Sequence, residues 1–254
     1  MIAIRTDQQA ALLQASGSRL ARVFAAVLLA VRPGVALQEL DQLADELIQK
    51  QGGQASFKTV KNYYWATCLN VNEGVVHGIP DGYRLKKGDL LSIDMGMLYQ
   101  GWHTDMARSL IVGGGDSKFL QAGRLALAAA TRLAVPGNRV GHLSQVIERV
   151  ISQAGFRPVR QLTGHGVGRR LHEEPQIPCF LDHPLTETPL LEAGMSLAVE
   201  VIYTQGQPEL VLADNGWTLE SADGLPAALF EDSLIVSVPR SLVLTRLSSD
   251  SLVK

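Results

Sequence analysis

Four acidic residues interrupt stretches of sequence that are otherwise rich in Val, Ile, Leu and Phe: Asp94, Asp105, Glu200 and Glu231. A charge buried in an apolar strand without a partner is strongly disfavoured, because it loses its hydration. Any one of these acids could instead point to solvent from an edge strand. Four of them together, with a histidine in a glycine-rich segment, favour a buried cluster that binds cations.

Asp94 and Asp105 lie on either side of a turn near Gly101. If Tyr99 and Gln100 form a two-residue turn, antiparallel partners have residue numbers that sum to 199, and the two aspartates face each other directly. Their Cβ atoms would then be roughly 5 Å apart. Like charges at that distance repel, so this register predicts either a carboxyl pair that shares a proton or a cation between them.

The histidine is His165, in the run Gly-His-Gly-Val-Gly at residues 164–168. Glycine lets the backbone approach a ligand closely and leaves the imidazole ring unobstructed. The glycines alone could also indicate a phosphate-binding loop, but no Lys-Ser or Lys-Thr pair follows them. A metal-binding histidine is therefore the better interpretation.

One imidazole with four carboxylates is a hard set of ligands. It suits Mn, Fe, Co or Zn and does not suit copper or an iron–sulfur cluster. Two divalent ions about 3.5–4 Å apart can lower the pKa of a shared water molecule and polarise a carbonyl at the same time. The five residues therefore predict hydrolysis of an amide by a pair of metal ions.

Helices and strands in an alternating order must position these residues. Apolar side chains at helical spacing predict helices over residues 7–31, 37–51, 118–134 and 139–153. Runs of Val, Ile, Leu, Tyr and Phe predict strands over residues 66–77, 90–98, 104–112, 159–163, 195–204 and 228–237. Helix pairs that are each followed by strands are typical of an α+β domain with a curved sheet under a layer of helices.

Each predicted helix pair contains a Pro-Gly turn, at residues 33–34 and 136–137, and each pair is closed by a glycine at the same distance from its turn. This repeat indicates an internal duplication, although two unrelated amphipathic hairpins would give the same pattern. We expect one catalytic metallopeptidase domain over residues 1–254, with similar halves at about 1–115 and 116–254.

Composition excludes several classes of protein. A formal net charge of -2 and the lack of a Lys or Arg cluster argue against a nucleic-acid substrate. Two cysteines, Cys68 and Cys179, are too few for a disulfide framework and fit a reducing cytoplasm. The longest apolar stretch near the N-terminus, residues 23–31, falls short of the roughly 20 residues that span a bilayer. We expect a cytoplasmic protein without a membrane anchor.

These residues resemble the type I methionine aminopeptidases, metallopeptidases of the pita-bread fold. The resemblance extends over essentially the whole chain and is strongest at residues 72–81, 164–175 and 216–218. The acids and the histidine also follow the order of the family's ligands: Asp, Asp, His, Glu, Glu. The resemblance implies an α+β fold, with a curved antiparallel sheet in two pseudo-symmetric halves covered by helix pairs.

The resemblance also implies a division of the ligands between two divalent ions, which could be Co, Mn, Fe or Zn. Asp94 would serve one ion, and His165 and Glu200 would serve the other. Asp105 and Glu231 would bridge the two.

Three residues would act on the substrate. Glu200 would take a proton from the attacking water, in addition to binding metal. His172 would stabilise the negative oxygen that develops in the reaction, and His77 would contact the amide or the leaving group of the substrate. Removal of the first methionine from peptides is the activity that this arrangement implies.

The residues expected around the methionine side chain match the family pattern only in part. Tyr63, Cys68 and Trp217 stand where the family places residues around that side chain, and they supply aromatic and sulfur surface that suits a thioether. Leu171 and Val60 replace residues that are commonly aromatic, which predicts a wider pocket. Tyr63 and Cys68 could also be core residues.

Two departures from the family pattern leave alternatives open. Val201 stands where proline is usual, and Asp232 where histidine is usual; the second change resembles the proline-specific peptidases of the same fold. An Xaa-Pro aminopeptidase or dipeptidase is therefore the nearest alternative, although such enzymes usually carry an N-terminal domain. A third alternative is a non-catalytic relative that binds peptides, but such relatives typically lose metal ligands.

The partners that the resemblance implies are the N-termini of peptides and nascent chains. The ribosome surface is a further candidate, and its contact would have to use the catalytic domain itself. We expect no membrane partner and a monomeric protein.

Overall fold

The structure is a computed structural model and describes residues 2–247 of the chain. Its α-helices, each within one residue of the predicted bounds, are α1 Asp7–Ala30, α2 Leu37–Lys50, α3 Lys118–Leu133 and α4 Val140–Gln153. The first helix begins at a capping box in which Thr6 and Gln9 satisfy each other's backbone N–H groups. The predicted domain bounds of 1–254 extend beyond the described residues at both ends.

The strands are mostly short, and the longest carry the acidic residues. They are β1 Gln54–Ala55, β2 Thr67–Val71, β3 Gly74–Val76, β4 Leu90–Tyr99, β5 Trp102–Ile111, β6 Arg157–Pro158, β7 Thr163–Gly166, β8 Glu173–Pro178, β9 Ser196–Thr204, β10 Leu210–Leu212, β11 Leu219–Ser221, β12 Ala227–Ile235 and β13 Leu242–Val243. Two 3-10 helices span Ser56–Thr59 and Leu185–Glu187.

Most of the strands form one antiparallel sheet of ten strands, in which the main path runs β1-β4-β5-β12-β9-β7-β8. The remaining β10, β11 and β3 make a small three-stranded sheet. Helix α1 packs on β4 and β5, and α3 packs on β9 and β12. This arrangement of helices over a sheet confirms the predicted α+β class.

Two predicted strands differ from those observed. The strand expected at residues 66–77 is divided into β2 and β3, because the chain turns at Asn72, whose φ is +53°. The strand expected at 159–163 is displaced toward the C-terminus, and the glycine-rich run itself forms β7. Asn tolerates a positive φ better than most residues, which explains the turn.

The predicted register of the Asp94–Asp105 hairpin is wrong, and the two aspartates do not face each other directly. Asp94 faces Ala107, and Asp105 faces Gly96, so partners sum to 201. The turn residues are Gln100 and Gly101, and both have a positive φ, of 49° and 78°. Two positive φ angles are what a tight hairpin turn of the right twist requires, and glycine supplies the second without strain.

Helix α1 is long and apolar enough to cross a membrane by length and composition alone. In the structure this helix packs against β4 and β5 and buries one face in the core. Leu13, Leu20, Phe24 and Val27 are fully buried, and the Ser16 hydroxyl lies 2.9 Å from the hydroxyl of Thr104 on β5.

Candidate metal centre

Strand pairing brings three acids into one row across the sheet. Glu231 on β12 faces Glu200 on β9 and Ala107 on β5, and Ala107 in turn faces Asp94 on β4. Directly paired residues point to the same face of a sheet, so the three carboxylates share one face. The small side chain of Ala107 leaves space between them.

The other two predicted ligands join this face because side chains alternate along a strand. Asp105 precedes Ala107 by two residues, and His165 faces Ala198, which precedes Glu200 by two residues. Ligand atoms of Asp105, His165 and Glu231 lie within 4.8 Å of one another. His165 Nε2 is 3.4 Å from Glu200 Oε1. The structure therefore brings all five predicted ligands together, although Asp94 and Glu200 lie outside the compact group of three.

The environment of this cluster disfavours the ionised form of its carboxyl groups. Burial, together with the nearby carboxylate of Asp105, raises the pKa of Asp94, Glu200 and Glu231 well above the ordinary range. Burial also raises the pKa of Asp105 itself, to about 7. Neighbouring carboxylates favour protonation unless a cation lies between them, so this cluster suits a bound cation.

Two buried oxygen atoms support the fit to a metal ion. Asp94 Oδ1 and Glu231 Oε1 are enclosed and have no hydrogen-bond partner among the described residues. A buried acceptor without a partner is costly, and coordination to a cation would satisfy it. The donor set of one imidazole nitrogen and carboxylate oxygens fits divalent ions such as Mn, Fe, Co or Zn.

The His165 ring is oriented by its own backbone. Its Nδ1 lies 2.8 Å from the carbonyl oxygen of Gly166, which can only accept a hydrogen bond, so Nδ1 carries the proton. The lone pair of Nε2 then points into the cluster. Burial lowers the pKa of His165 to about 4, with a smaller effect of His172, which keeps the ring neutral and able to bind metal.

The glycines beside His165 serve the sheet and not a close approach to a ligand, which corrects the expectation from sequence. A Cβ atom on Gly164 would lie 2.7 Å from the carbonyl oxygen of Ala198 on β9, and one on Gly166 would lie 2.2 Å from that of Glu174 on β8. Only glycine allows β7 to lie this close to both neighbours.

A cavity of about 360 Å³ opens above the cluster. All of the predicted site residues line it: Asp94, Asp105, His165, Glu200, Glu231, His77, His172, Tyr63, Cys68, Leu171, Trp217 and Val60. The His172 ring meets the His165 ring edge-on, with centroids 4.5 Å apart. His77 has a φ of +57°, an uncommon conformation for a residue with a side chain.

One wall of the cavity is a separate apolar cluster. Phe57, Tyr63, Cys68 and Leu171 are buried against one another, and Val60, Trp65 and Trp217 pack around them. The Tyr63 ring lies 5.1 Å from that of Trp217, and its hydroxyl donates to the carbonyl oxygen of Thr67 at 2.8 Å. Cys68 faces Asp94 across β2 and β4, so this wall adjoins the acidic row directly.

Several residues that line the cavity were missed from sequence: Phe57, Val76, Gln161, Leu162, Thr163 and Ile202. Alternation along a strand could have found two of them. Thr163 is two residues before His165, and Ile202 is two residues after Glu200, so each shares the face of a predicted ligand. The others come from a 3-10 helix, a loop or another strand and carry no such signal.

A buried ion pair holds the loop that carries His172. The guanidinium of Arg5 pairs with Glu173, and its Nε donates to Ser196 Oγ at 2.9 Å. Glu173 Oε1 also accepts from the backbone N–H of Arg170 at 2.9 Å. The N-terminal segment therefore contributes to the position of His172 in the cavity.

Comparison with known proteins points to a family of metallopeptidases. The model of metallopeptidase family M24 matches residues 11–237. Methionine aminopeptidase 1 of Bacillus subtilis is 36% identical over 250 residues, which cover 97% of this chain and 100% of the relative. The methionine aminopeptidase of Clostridium perfringens is 34% identical over 239 residues, 93% of this chain and 95% of the relative.

Solved structures give the same result. The methionine aminopeptidase of Thermotoga maritima has a TM-score of 0.93 and 34% identity, and the match covers 97% of this chain and 100% of that one. The prolidase of Pyrococcus furiosus, at 20% identity and a TM-score of 0.77, shares the fold over 96% of this chain and 66% of its own. The predicted pita-bread fold is thus confirmed. The chain belongs to metallopeptidase family M24, as a relative of the methionine aminopeptidases.

Proposed function

We propose that this chain is a methionine aminopeptidase, which removes the first methionine from peptides and nascent proteins by metal-dependent hydrolysis. The proposal rests on one observation: the candidate metal ligands and an apolar pocket line the same cavity. A cluster of five candidate ligand residues, three of them buried and two half-buried, lies beside an apolar wall of aromatic and sulfur side chains. The full-length likeness to proteins named methionine aminopeptidases supports it.

Two divalent ions, of Co, Mn, Fe or Zn, are the proposed cofactor. Asp94 would hold one ion, and His165 and Glu200 the other, with Asp105 and Glu231 shared between them. When bound, such ions supply a water molecule of lowered pKa and polarise the carbonyl of the scissile bond.

The protein's own groups would move the proton and receive the charge. Glu200 lies beside His165 Nε2 and has a raised pKa, so its carboxylate is basic enough to accept a proton from the attacking water. Burial lowers the pKa of His172, so at neutral pH its ring is neutral and would donate a hydrogen bond to the developing oxyanion. His77, which directly follows Val76 at the end of β3 and also lines the cavity, would contact the substrate's amide.

The apolar wall would select the first residue of the substrate. Tyr63, Cys68 and Trp217 would surround a thioether side chain, and favourable sulfur–aromatic contacts are expected there. Leu171 and Val60 offer aliphatic surface at the same place, so we propose a pocket that tolerates a wider range of apolar first residues than an all-aromatic one.

Hydrolysis of Met-Ala-Ser and Ala-Pro peptides, with Mn²⁺ or Co²⁺ added back after chelation, tests the function. We expect cleavage of the first substrate and little of the second. Cleavage of only the proline substrate would identify the Xaa-Pro alternative. If neither is cut, and Asp105→Asn does not differ from wild type in metal content, the non-catalytic alternative would stand.

The wider context completes the proposal. We propose a single cytoplasmic catalytic domain over residues 1–254, with two similar halves, that acts as a monomer on free N-termini. A nascent chain is one such substrate, and contact with the ribosome would use the surface of this domain. Size-exclusion chromatography with light scattering would contradict the monomer if it gave a mass of twice 27.4 kDa.

A further inference from the structure

Behind the ligand cluster lies a second group of buried polar residues that the proposed catalytic roles do not use. Asp232 is 8% exposed, and Ser233 and Thr245 are fully buried. Arg108 Nη2 donates to Asp232 Oδ1 at 2.7 Å, and Thr245 Oγ1 donates to the same oxygen at 2.9 Å. Asp232 is the residue that departs from the usual histidine, and its side chain points away from the cavity.

This group lies where β12 changes its partner. On one edge, β12 pairs with β9 along its whole length, from Ala227 to Ile235. On the other edge it pairs with β5 at Glu231 and Asp232, and then with β13 at Leu234 and Ile235. The C-terminal segment therefore takes the place that β5 leaves, with its strand pairing beginning two residues beyond Asp232, at Leu234.

Side-chain hydrogen bonds supplement the backbone at this point, where the Leu244 N–H donates to the Ser233 carbonyl oxygen at 2.8 Å. The N–H of Ser233 donates to Thr245 Oγ1 at 3.1 Å. The hydroxyl of Ser233 accepts from the backbone N–H of Asp105 and donates to the backbone oxygen of Asp105, each at 2.8 Å. Arg108 Nη1 donates to the carbonyl oxygens of Ala107 and Glu231.

The result is a continuous set of hydrogen bonds from the C-terminal segment to the backbones of Asp105 and Glu231. These two residues belong to different strands, and both are proposed to be shared by the two ions. Their carboxylates must be held at one separation to bind the same ions, yet the β5–β12 ladder ends beside them. The polar group supplies the restraint that the ladder lacks.

We infer that Thr245 and Asp232 are positioning residues, which act through Ser233 and Arg108 to fix the separation of Asp105 and Glu231 and so set the affinity for metal. The inference rests on the proposed sharing of Asp105 and Glu231. Partners that orient ligands in this indirect way typically change metal affinity 10–100-fold when they are removed.

Thr245→Val tests the inference, because it removes the hydroxyl and keeps the shape of the side chain. The measurement is Mn²⁺ binding to chelator-treated full-length protein by titration calorimetry. We expect Mn²⁺ affinity to fall about 10–100-fold. For the Met-Ala-Ser peptide at a fixed subsaturating Mn²⁺ concentration, kcat should fall while KM stays close to wild type. Thr245→Ser, which keeps the hydroxyl, should restore both, and Asp232→Asn should weaken Mn²⁺ binding in the same direction.

Thr204→Val is the matched control. Thr204 is also fully buried at the end of a strand, and its hydroxyl donates to the carbonyl oxygen of Gln207 at 2.9 Å, away from the ligand cluster. It should reduce thermal stability and leave Mn²⁺ affinity unchanged.

Wild-type Mn²⁺ affinity in Thr245→Val, or weak binding in Thr245→Ser equal to that of the valine variant, would overturn the inference. If Thr245→Val does not fold, Asp232→Asn and Thr245→Ser decide it alone. Failure of the wild-type protein itself to bind Mn²⁺ would overturn the metal centre and the inference together. Because the readout is metal affinity, the identity of the cleaved peptide does not affect the result.

Discussion

Each acid in the cavity is unfavourable as a free anion, and the neighbouring carboxylates make most of them more so unless a cation is bound. Asp105 and Glu231 are buried in one cluster, and Asp94 and Glu200 are half-buried beside them. Loss of hydration raises the pKa of all four, and neighbouring carboxylates raise it further for Asp94, Glu200 and Glu231. Metal binding requires their deprotonated forms, so proton release and metal binding are coupled.

This coupling predicts proton release when metal binds. At pH 7 the metal-free cluster retains protons, since the pKa of Asp105 is about 7 and those of the other three acids are raised. Mn²⁺ must displace these protons, so its affinity should fall steadily from pH 8 to pH 6. Calorimetry in two buffers with different ionisation enthalpies measures the protons released. Equal heats in both buffers would contradict the prediction.

His172 should act in the reaction without binding metal. It lines the cavity and contacts the His165 ring edge-on. Loss of a group that stabilises an oxyanion typically lowers kcat about 100–1,000-fold, so we expect that range for His172→Ala, with Mn²⁺ stoichiometry unchanged. His183→Ala, at an exposed position, is the control. A kcat within threefold of wild type would exclude His172 from this role.

The strands around the cavity bring together ligands that are far apart in the sequence. The central row crosses β4, β5, β12 and β9, so each strand contributes one position at the same level. The small β7 adds His165 by lying unusually close to β9. The geometry of the site is therefore set by distances between strands as much as by the ligands themselves.

Gly164→Ala should disturb the site through β7. The added Cβ would lie 2.7 Å from the carbonyl oxygen of Ala198, so β7 must move away from β9 and carry His165 with it. We expect a loss of about 1–3 kcal/mol in the free energy of unfolding, as for other overpacked positions, and weaker Mn²⁺ binding. Urea denaturation and calorimetry measure the two effects.

Gly82→Ala is the matched control for this change, because an added Cβ at Gly82 meets nothing within 4 Å and φ is not positive there. It should leave both quantities near wild type. Unchanged Mn²⁺ affinity in Gly164→Ala would contradict the proposed dependence on β7.

The two helix pairs cover different parts of one sheet, with β5 and β12 in contact at its centre. This arrangement agrees with the expected halves at about 1–115 and 116–254, which stay a prediction. The proposed ligands come from both halves: Asp94 and Asp105 from the first, His165, Glu200 and Glu231 from the second. Bound metal would therefore connect them.

Metal should stabilise the whole molecule, and more so at high pH. A carboxyl group whose pKa is raised by folding favours the folded state below its ordinary pKa, and this contribution is lost as pH rises through the folded value. For Asp105 this window runs from 3.8 to about 7. Above it the Asp105 carboxylate is charged, and a bound cation would neutralise that charge. The rise in Tm on addition of Mn²⁺ should therefore be larger at pH 8 than at pH 6.

Calorimetric scans at the two pH values, with and without Mn²⁺, measure this difference. We expect a single transition in each, since one hydrogen-bonded sheet runs through both halves. At 100 times its Kd, Mn²⁺ should add about 2.7 kcal/mol by mass action. A larger rise in Tm at pH 6 than at pH 8 would contradict the charge argument. Two separate transitions would contradict the single domain.

The sequence by itself identified the candidate ligand residues and predicted which segments are helical. Acids inside apolar strands carry a local signal, because an unpaired buried charge is so costly that it implies a partner. Helical spacing and Pro-Gly turns are also local, and the four helices lie within one residue of their predicted bounds. Only the tertiary structure decided the register, because φ at Gln100 and Gly101, and not composition, selects the turn. It also decided the partners of Asp232, since Arg108 and Thr245 meet it through strands whose pairing depends on the whole sheet.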